Sequence, residues 1–455
     1  MRDGHLHGVP GYGRRRGACE NVPANGAGWH DGGDGLNACN VLVVGAGPAG
    51  MAAAAVAAEA GARVVMADDN PAPGGQIWRG YSADAAGPHG HAFAALIRRV
   101  QTARVEIRSG TRVVEQPGAG VIRLEDENGY NDLKYERIIA ATGARERFLP
   151  FPGWTLPGVM GAGGLQAMVK AGLPIEGKRV VLSGTGPLLL AVAANLAKHG
   201  AKIAGVFEQA PLRRLISFGV SLKAFPAKLL EGARYRAAMG APFRTSAWVT
   251  KAHGDGWLRA VKVSDGGRLR EIACDYLGCG FHLVPNLELP RLLGCRIDDG
   301  FTAVDGAQQS SVPGVYCAGE LTGIGGLDKA LVEGEIAGLA AAGRPAAHLY
   351  KRRDRMLRFA WQLEDAFALR PELRALAEPE TIVCRCEDVR FRALEGLRNG
   401  REAKLHTRCA MGPCQGRVCG PATKFLFGWG SESVRPPLTP ARTGTLAAEF
   451  EKSEA

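Results

Sequence analysis

The chain has 455 residues, of which 46% are hydrophobic and 63 are glycine, and its formal net charge at pH 7 is +11. This length accommodates two or three domains with sizeable cores, and no apolar run reaches the length of a membrane span. The Lys and Arg residues are dispersed, aromatic residues make up only 7%, and no helix-turn-helix or zinc-finger spacing occurs. The composition therefore predicts a turn-rich α/β protein with neither a transmembrane segment nor a nucleic-acid partner.

The first segment, residues 1–36, is rich in Gly, His and Arg and lacks the apolar centre of a signal peptide. We expect a disordered tail or an over-extended start there, and a cytoplasmic protein that a complex could attach to a membrane. Five of the 11 cysteines fall between residues 384 and 419. Such clustering suits thiols that bind a metal in a reducing compartment.

A strand, a glycine turn and a helix follow the tail. The apolar strand 41–44 precedes the turn, and an alanine-rich helix covers residues 51–60. The turn itself is Gly45, Ala46, Gly47, Pro48, Ala49 and Gly50. In this motif Gly45 permits the tight turn, Gly47 lets the backbone approach a pyrophosphate, and Gly50 lets helix and strand pack closely.

An acidic residue completes this first unit. A second strand, residues 63–67, ends at Asp68, about 20 residues beyond the glycines, where an acid takes the ribose hydroxyls of a bound dinucleotide. Strand, turn, helix and terminal acid together predict a nucleotide site, whereas the glycines alone would indicate only a structural turn.

A second strand-turn-helix unit has two departures from the pattern. Strand 180–183 leads into a turn that ends at Leu189, where the third glycine is expected, and Phe207 stands at the acid position with Glu208 displaced by one. Arg213 and Arg214 could meet a 2'-phosphate or could be a solvated basic turn. We expect a nucleotide-binding fold whose NAD(P) site is doubtful.

The C-terminal cysteines have the spacing of a cluster site. Cys384 and Cys386 form a CxC pair, and after 27 residues Cys414 and Cys419 form a CxxxxC pair. Four thiolates on two loops can hold a [2Fe-2S] cluster, and zinc is the competing ligand. The apolar spacing within residues 388–398 predicts a helix between the two loops, and another helix is expected after Cys419.

The remaining thiols favour no disulfide reductase chemistry. That chemistry needs a redox-active cysteine pair beside the bound cofactor, and neither nucleotide unit contains a CxxC. Cys274 and Cys279 lie near the end of the second unit, so we interpret them as structural. No residue can be named as a catalytic acid or base.

Several motifs resemble the flavoproteins with two dinucleotide domains, such as thioredoxin and glutathione reductases. Residues 69–79 resemble their GGQ loop, residues 138–144 the strand that leaves the first domain, and residues 315–320 the late strand that returns to FAD. The resemblance implies FAD in the first unit, with contacts from Gly75, Gln76, Thr142, Gly143, Gly319 and Glu320. Relatives usually have Asp, not Glu, at the last position, where it binds the ribityl chain.

The C-terminal motifs resemble the bacterioferritin-associated ferredoxin-like domain. Cys384-Arg385-Cys386-Glu387 and residues 407–419 carry the likeness, which implies a [2Fe-2S] cluster on Cys384, Cys386, Cys414 and Cys419. Relatives commonly have a residue that is not a ligand at position 409, so the resemblance leaves Cys409 as a spare thiol.

Over residues 38–430 the order of motifs resembles the larger, nucleotide-binding subunits of bacterial opine oxidases, of hydrogen cyanide synthase and of hydroxyproline or proline dehydrogenases. The resemblance implies an electron-transferring subunit whose partner, an amino-acid-oxidase-like flavoprotein, oxidises a C–N bond. The expected fold is α/β, with two Rossmann-like domains of the glutathione/thioredoxin reductase type and a small helical iron-sulfur domain. A self-sufficient NAD(P)H-dependent reductase and a cluster-carrying sensor or scaffold are the alternatives.

This interpretation predicts the following domain boundaries. The FAD domain covers 37–150 and 281–345, and the NAD(P)-binding-like domain covers 151–280. A helical linker covers 346–378, the cluster domain 379–435 and a tail 436–455.

Overall fold

A computed structural model describes residues 37–82, 87–430 and 434–448, and the part from Asn37 onwards is one compact unit. The predicted tail at residues 1–36 lies outside the described residues. Within them, none of the helices is long and apolar enough to cross a membrane.

The strands alternate with helices along most of the described chain. They are β1 (Asn37–Val44), β2 (Val64–Asp68), β3 (Glu106–Ser109), β4 (Arg112–Gly118), β5 (Val121–Glu125), β6 (Tyr130–Ala140), β7 (Ala144–Glu146), β8 (Val159–Gly161), β9 (Arg179–Thr185), β10 (Lys202–Glu208), β11 (Phe243–Thr245), β12 (Ala247–His253), β13 (Ala260–Asp265), β14 (Arg268–Ala273), β15 (Tyr276–Phe281), β16 (Leu283–Pro285), β17 (Ile297–Asp298), β18 (Phe301–Thr302), β19 (Val315–Cys317), β20 (Ile382–Cys384) and β21 (Val389–Arg390).

The α-helices are α1 (Pro48–Glu59), α2 (Gly87–Thr102), α3 (Ala162–Lys170), α4 (Leu188–Lys198), α5 (Leu212–Ser221), α6 (Pro226–Ala238), α7 (Glu288–Leu292), α8 (Gly326–Ala341), α9 (Tyr350–Phe367), α10 (Gly400–Thr407), α11 (Cys419–Phe427) and α12 (Thr443–Ala447).

The first sheet has the order β3-β2-β1-β6-β5-β4, and β19 pairs with β6. Strands β3, β2, β1, β6 and β19 are parallel, whereas β4, β5 and β6 form an antiparallel meander. Strand β6 belongs to both the parallel part and the antiparallel part because it is long. Its first half pairs with β5, and its last three residues pair with β19. The late strand β19 therefore completes the sheet that β1 begins.

Helices α1 and α8 pack closely because two positions of α8 that face α1 are glycines. A Cβ on Gly334 would lie 2.2 Å from the Ala49 carbonyl oxygen, and a Cβ on Gly338 would lie 2.3 Å from that of Ala53. Alanines of α1 fill the rest of this interface, and most of them are inaccessible to solvent. This close approach brings the start of α8 and the turn before it next to the first glycine turn.

The second sheet has the order β11-β10-β9-β15-β8, and all its strands are parallel. A three-stranded antiparallel sheet, β12-β13-β14, follows β11 in the chain. Its buried side chains share a hydrophobic core with those of the second parallel sheet. Both parallel sheets have the strand-turn-helix unit that the sequence predicts. The predicted α/β fold with two strand-turn-helix domains is confirmed.

The C-terminal cysteine region packs on the rest of the chain. The indole N–H of Trp154 donates to the carbonyl of Ile382 at 2.6 Å, just before Cys384. The helix predicted over 388–398 is wrong: this stretch is β21, a 3-10 turn and further turns, and the α-helix starts at Gly400. Its apolar spacing buries Val389 and Leu394 without forming a helix. The helix predicted after the last loop is present as α11.

Residues 434–448 lie against β4 and β5 of the first sheet. Leu438 donates its N–H to the carbonyl of Val114, and both the Arg442 N–H and the Thr445 hydroxyl donate to the Glu125 carboxylate. Arg123, 1% exposed, reaches the carbonyl of Ala448 at 2.9 Å. The described end of the chain is therefore part of the first domain's packing.

Candidate functional site

The first glycine turn is shaped by close backbone contacts. Gly45 has φ +108°, and a Cβ there would lie 2.3 Å from the Ala141 carbonyl oxygen. A Cβ on Gly50 would lie 1.7 Å from the Gly45 carbonyl oxygen, so helix and strand touch there. At Gly47, by contrast, a Cβ would meet only the Gly75 Cα, at 3.9 Å. Two glycines are thus required by the fold, and the third lines open space.

Asp68 fixes this turn from the end of β2. Its carboxylate accepts the Ala46 N–H at 2.5 Å and both the backbone and side-chain N–H groups of Asn70 at 2.7 Å. A carboxylate has about four acceptor positions, so capacity for a ribose hydroxyl remains. The ribose contact stays a prediction, and the structure adds a role in holding the turn.

The loop that resembles the GGQ motif packs onto the glycine turn. Gly75 has φ +58°, and a Cβ there would lie 2.9 Å from the Gly47 Cα. Gln76 is exposed and accepts a hydrogen bond from Arg79 at 3.2 Å. Trp78 is fully buried, and its indole N–H has no hydrogen-bond partner among the residues that the structure describes. The loop therefore brings exposed polar groups to the edge of the turn.

Thr142 and Gly143 are held by Asn286, a residue that sequence reasoning missed. The Thr142 hydroxyl donates to the Asn286 carbonyl at 2.9 Å, and the Asn286 amide donates to the Thr142 carbonyl at 2.7 Å. The Asn286 N–H donates to the Gly143 carbonyl at 2.9 Å. Because the partners are 144 residues apart, no local sequence pattern indicated this link.

The turn at Gly319 lies against the first turn of α1. Gly319 has φ +81°, and a Cβ there would lie 2.9 Å from the Ala49 Cβ. A buried ion pair holds it: Lys329 and Glu333 are 2.7 Å apart, the Gly319 N–H donates to Glu333, and Lys329 donates to the Gly319 carbonyl. Sequence reasoning missed this pair too, although the i,i+4 spacing on α8 was visible.

Glu320 is turned towards the start of α8. Its carboxylate accepts the N–H groups of Gly325 and Gly326, both at 3.0 Å. Burial raises the pKa of this carboxyl above its usual value. A contact with a ribityl chain remains a prediction, and the longer Glu side chain makes these backbone contacts within the turn that precedes α8.

The geometry of the first turn fits a bound dinucleotide. Helix α1 begins at Pro48 after the N-cap residue Gly47, and within the described residues it has no side-chain cap and no acidic residue in its first turn. Its N-terminal amides and dipole are therefore free to favour an anion such as a pyrophosphate. Asp68, Gly75 and Gly319 surround the same turn.

The second glycine turn holds a carboxylate of its own chain. Glu208, 1% exposed, accepts the Gly186 N–H at 2.7 Å and the Thr185 hydroxyl at 2.8 Å. It also accepts the Ala210 N–H at 2.8 Å. Burial raises the pKa of Glu208 to about 7. Leu189, at the third glycine position, is accommodated because Gly280 faces it without a side chain.

The end of α9 covers this second turn. The Phe367 carbonyl accepts the Thr185 hydroxyl at 3.2 Å. Gln209 is inaccessible to solvent, donates to the carbonyls of Phe367 and Ala368, and accepts the Arg370 N–H at 3.1 Å. The amide nitrogen and the amide oxygen of Gln209 thus both hydrogen-bond to the backbone at the end of α9.

Five thiols gather in the C-terminal region. The Sγ atoms of Cys384, Cys409 and Cys419 lie within 4.8 Å of one another, and all three residues are buried. Cys386 is exposed and contacts the thiol and backbone N–H of Cys414. The four predicted ligands thus form two pairs, Cys384 with Cys419 and Cys386 with Cys414, and Cys409 joins the first pair.

The thiol contacts favour thiolate formation at Cys384. Hydrogen bonds from Cys409 and Cys419 lower the pKa of Cys384, and the same contact with Cys384 raises the pKa of Cys409 to about 12. A thiolate is the form that binds metal. Two pairs of thiols match the two irons of a [2Fe-2S] cluster, and three converging thiols also suit one tetrahedral ion.

Cys274 and Cys279 are buried and unpaired, as expected for structural thiols. Burial raises the pKa of Cys274 to about 12 and that of Cys279 further. Neither is poised to be a nucleophile.

Comparison with known proteins identifies the family. A model described as pyridine nucleotide-disulphide oxidoreductase matches residues 39–344. An opine oxidase subunit of Rhizobium meliloti (strain 1021) is 34% identical over 90% of this chain and 98% of its own length. Hydrogen cyanide synthase subunit HcnB of Pseudomonas aeruginosa is 32% identical over 83% of this chain and 90% of its own length. The chain belongs to the pyridine nucleotide-disulphide oxidoreductase family and, within it, to the group that contains HcnB and this opine oxidase subunit.

Solved structures agree on the fold. L-proline dehydrogenase from P. horikoshii is similar with a TM-score of 0.65 at 18% identity, covering 92% of this chain and 82% of its own. T. acidophilum thioredoxin reductase has a TM-score of 0.54 at 24% identity, covering 68% of this chain and 98% of its own. The resemblance to the opine oxidase and hydrogen cyanide synthase subunits is confirmed, and the chain is a flavin-dependent oxidoreductase.

Proposed function

We propose that this chain is the electron-transferring subunit of a heteromeric amino-acid or opine dehydrogenase or oxidase. In this proposal FAD binds at the first glycine turn and a [2Fe-2S] cluster binds to Cys384, Cys386, Cys414 and Cys419. An amino-acid-oxidase-like flavoprotein partner oxidises the C–N bond of the substrate, and its electrons pass through this chain to an acceptor.

The contrast between the two glycine turns carries the proposal. Both turns have a glycine that faces open space, Gly47 and Gly186, and a following helix without a side-chain cap, so the difference lies in what else contacts the second turn. In the second turn, Glu208 accepts the Gly186 N–H, and the Phe367 carbonyl bonds to Thr185. A nicotinamide dinucleotide there would meet a buried carboxylate and the end of α9.

This contrast disfavours the self-sufficient NAD(P)H reductase. That enzyme needs its second turn to bind a reduced nicotinamide, and opening the turn requires Thr185 and Gln209 to release the end of α9. An electron source outside the chain fits better. The relatives named as subunits of opine oxidase and hydrogen cyanide synthase support a partner as that source.

The residues of the chain position cofactors and supply no acid-base group. A bound flavin would accept electrons in pairs, and an iron-sulfur cluster would pass them on singly. Gly45, Gly50 and Asp68 hold the flavin turn in shape, and the Lys329–Glu333 pair holds Gly319 against it. Metal analysis tests the cluster, since two irons and two sulfides per chain support it and one zinc contradicts it.

The decisive experiment is an anaerobic titration of the cofactor-loaded chain, alone, with NADH and with NADPH, while the visible absorbance of the flavin is followed. We expect no bleaching, with dithionite as the control that the flavin is reducible. The partner flavoprotein is then added with an opine, hydroxyproline, proline or glycine, and one of them should bleach the flavin.

Two outcomes contradict the proposal. Rapid bleaching by either nucleotide without the partner would establish the self-sufficient reductase. Loss of the flavin on purification while the cluster stays, with no reduction by any substrate and partner, would favour the sensor or scaffold.

A further inference from the structure

Helices α5 and α6 each expose large apolar side chains. Leu212, Ile216 and Val220 are 57%, 58% and 56% exposed, and their spacing of four residues places them on one face of α5. On α6, Leu229 and Leu230 are 44% and 52% exposed. Neither helix has a buried residue of its own. We name this set the α5–α6 face.

The opposite side of α5 is anchored. Leu215 and Phe218 pack against Ala366 and Phe367 at the end of α9, and Phe218 contacts the Phe359 ring. The helix is therefore held in place by its inner side, and the exposed aliphatic side chains are not needed to fix it. Five large aliphatic side chains left in water are costly unless a partner covers them.

The same segment is strongly basic. Residues 211–240 contain six Lys or Arg side chains and one acid, Glu231. Glu231 is bound by Lys228 and by His89 and Tyr235, and Lys228 also bridges Asp328. Within the described residues no carboxylate pairs with the other five cations, which are Arg213, Arg214, Lys223, Arg234 and Arg236.

The basic and apolar groups share one surface. Leu212 and Ile216 line the same shallow groove as Arg236 and Arg244. The one acid in this groove, Asp265, already lies 4.0 Å from Arg244 and 3.6 Å from Arg270. The groove therefore presents aliphatic carbon next to uncompensated positive charge.

We propose that the α5–α6 face binds the surface of an anionic membrane, with the aliphatic side chains entering the acyl boundary and the cations at the headgroups. Amphipathic helices with Lys and Arg beside an apolar face bind membranes in this way. The contact is peripheral, because no described helix can span a bilayer.

Charge and composition argue against the other occupants. A second copy would bring the same positive charge to the contact, and like charges across an interface are repulsive. Hot spots of protein interfaces are enriched in Trp and Tyr as well as Arg and are poor in Leu and Val, whereas this face sets its arginines beside Leu, Ile and Val and has no exposed aromatic ring. This inference does not depend on the electron-transfer proposal.

The test is flotation of the full, cofactor-loaded chain with vesicles. We expect binding to an equal mixture of phosphatidylcholine and phosphatidylglycerol and little binding to phosphatidylcholine alone. Ile216→Ser should weaken binding about tenfold or more, because an aliphatic group leaves the lipid. Arg213→Gln with Arg236→Gln should weaken it ~30-fold, at about fivefold per cation, and high salt should act similarly.

Matched controls lie on α10, outside the residues that line the groove. Leu405 is 73% exposed, and Arg401 is exposed, so Leu405→Ser and Arg401→Gln should leave vesicle binding unchanged. Equal binding to neutral vesicles, or equal loss in the controls, would overturn the proposal. So would absent vesicle binding combined with a changed oligomeric state, or with lost capture of the flavoprotein partner, in the Ile216 variant.

Discussion

The two glycine turns are built on the same plan and have different surroundings. In each, an acid near the end of the second strand accepts an N–H from the turn: Asp68 from Ala46 at 2.5 Å and Glu208 from Gly186 at 2.7 Å. The glycines Gly47 and Gly186 both face open space, and two glycine loops lie beside the first turn. Over the second turn lies the end of α9. The backbone plan is thus shared, and the neighbouring segments differ.

The largest expected effect separates folding from binding in the first turn. Gly50→Ala places a Cβ 1.7 Å from the Gly45 carbonyl oxygen, so we expect a loss of more than about 4 kcal/mol in the free energy of unfolding. Gly47→Ala meets only the Gly75 Cα and should fold but lose flavin. Urea unfolding and flavin content measure both. A Gly47→Ala protein with full flavin content would remove the pyrophosphate assignment.

The next prediction concerns the buried ion pair of Lys329 and Glu333, which lies beside the first turn. Lys329→Met leaves the Glu333 carboxylate buried without its cation, which should cost about 3–5 kcal/mol in the free energy of unfolding. The double variant Lys329→Met, Glu333→Leu should regain part of this loss, because no unpaired charge remains. If the single variant were as stable as the native chain, the pair would not be what holds Gly319.

The buried acid of the second turn should give a pH signature. The pKa of Glu208 is raised from 4.5 to about 7 by burial, so the folded chain keeps a proton that the unfolded chain loses. Stability from this group is complete below about pH 4.5 and falls by about 3 kcal/mol as pH rises to 7. Glu208→Gln should flatten this decline, measured as the free energy of unfolding from pH 5 to 8. An unchanged slope would show that Glu208 is ionised throughout.

The smallest expected effect concerns the hydrogen bonds of Gln209 to the end of α9, the segment that covers the second turn. Gln209→Ala removes the bonds to Phe367, Ala368 and Arg370 and should cost about 1–2 kcal/mol locally. The Arg370 amide should then exchange its hydrogen about tenfold faster. Thr185→Ser, which keeps its hydroxyl, is the matched control and should leave that exchange rate near native. Equal rates in all three proteins would mean that Gln209 does not hold the cover.

The sequence predicted what is local in both turns. The glycines at 45 and 50 and the acid Asp68 lie where strand, turn and helix require them, and Leu189 and Phe207 were identified as departures. Closure of the second turn was not predictable, because Gln209 and Phe367 are 158 residues apart. The same holds for Asn286 on Thr142. Such contacts depend on which segments the fold brings together.

The helix predicted at residues 388–398 is absent, and this shows that apolar spacing alone is a weak helix signal. Val389 and Leu394 have helix-like spacing, yet they are buried in a compact region where turns serve equally well. The true helix begins after Asn399, whose side chain accepts the Glu402 N–H at 2.9 Å, while the Glu402 carboxylate accepts the N–H of Arg398. Asn followed three residues later by Glu is a capping signal, and it indicated the helix start better than the apolar spacing did.

The double use of strand β6 has a consequence for how the chain is made. One edge of this strand pairs with β1 along most of its length, and the first half of the other edge can pair with β5 at once. The second half of that edge waits for β19, which is synthesised only after the whole second sheet. Helix α8, against which α1 packs, arrives later still. Since domains fold largely as units during synthesis, the inserted domain can mature first on the ribosome. The first glycine turn, although nearest the start of the chain, is then among the last parts to reach its final structure.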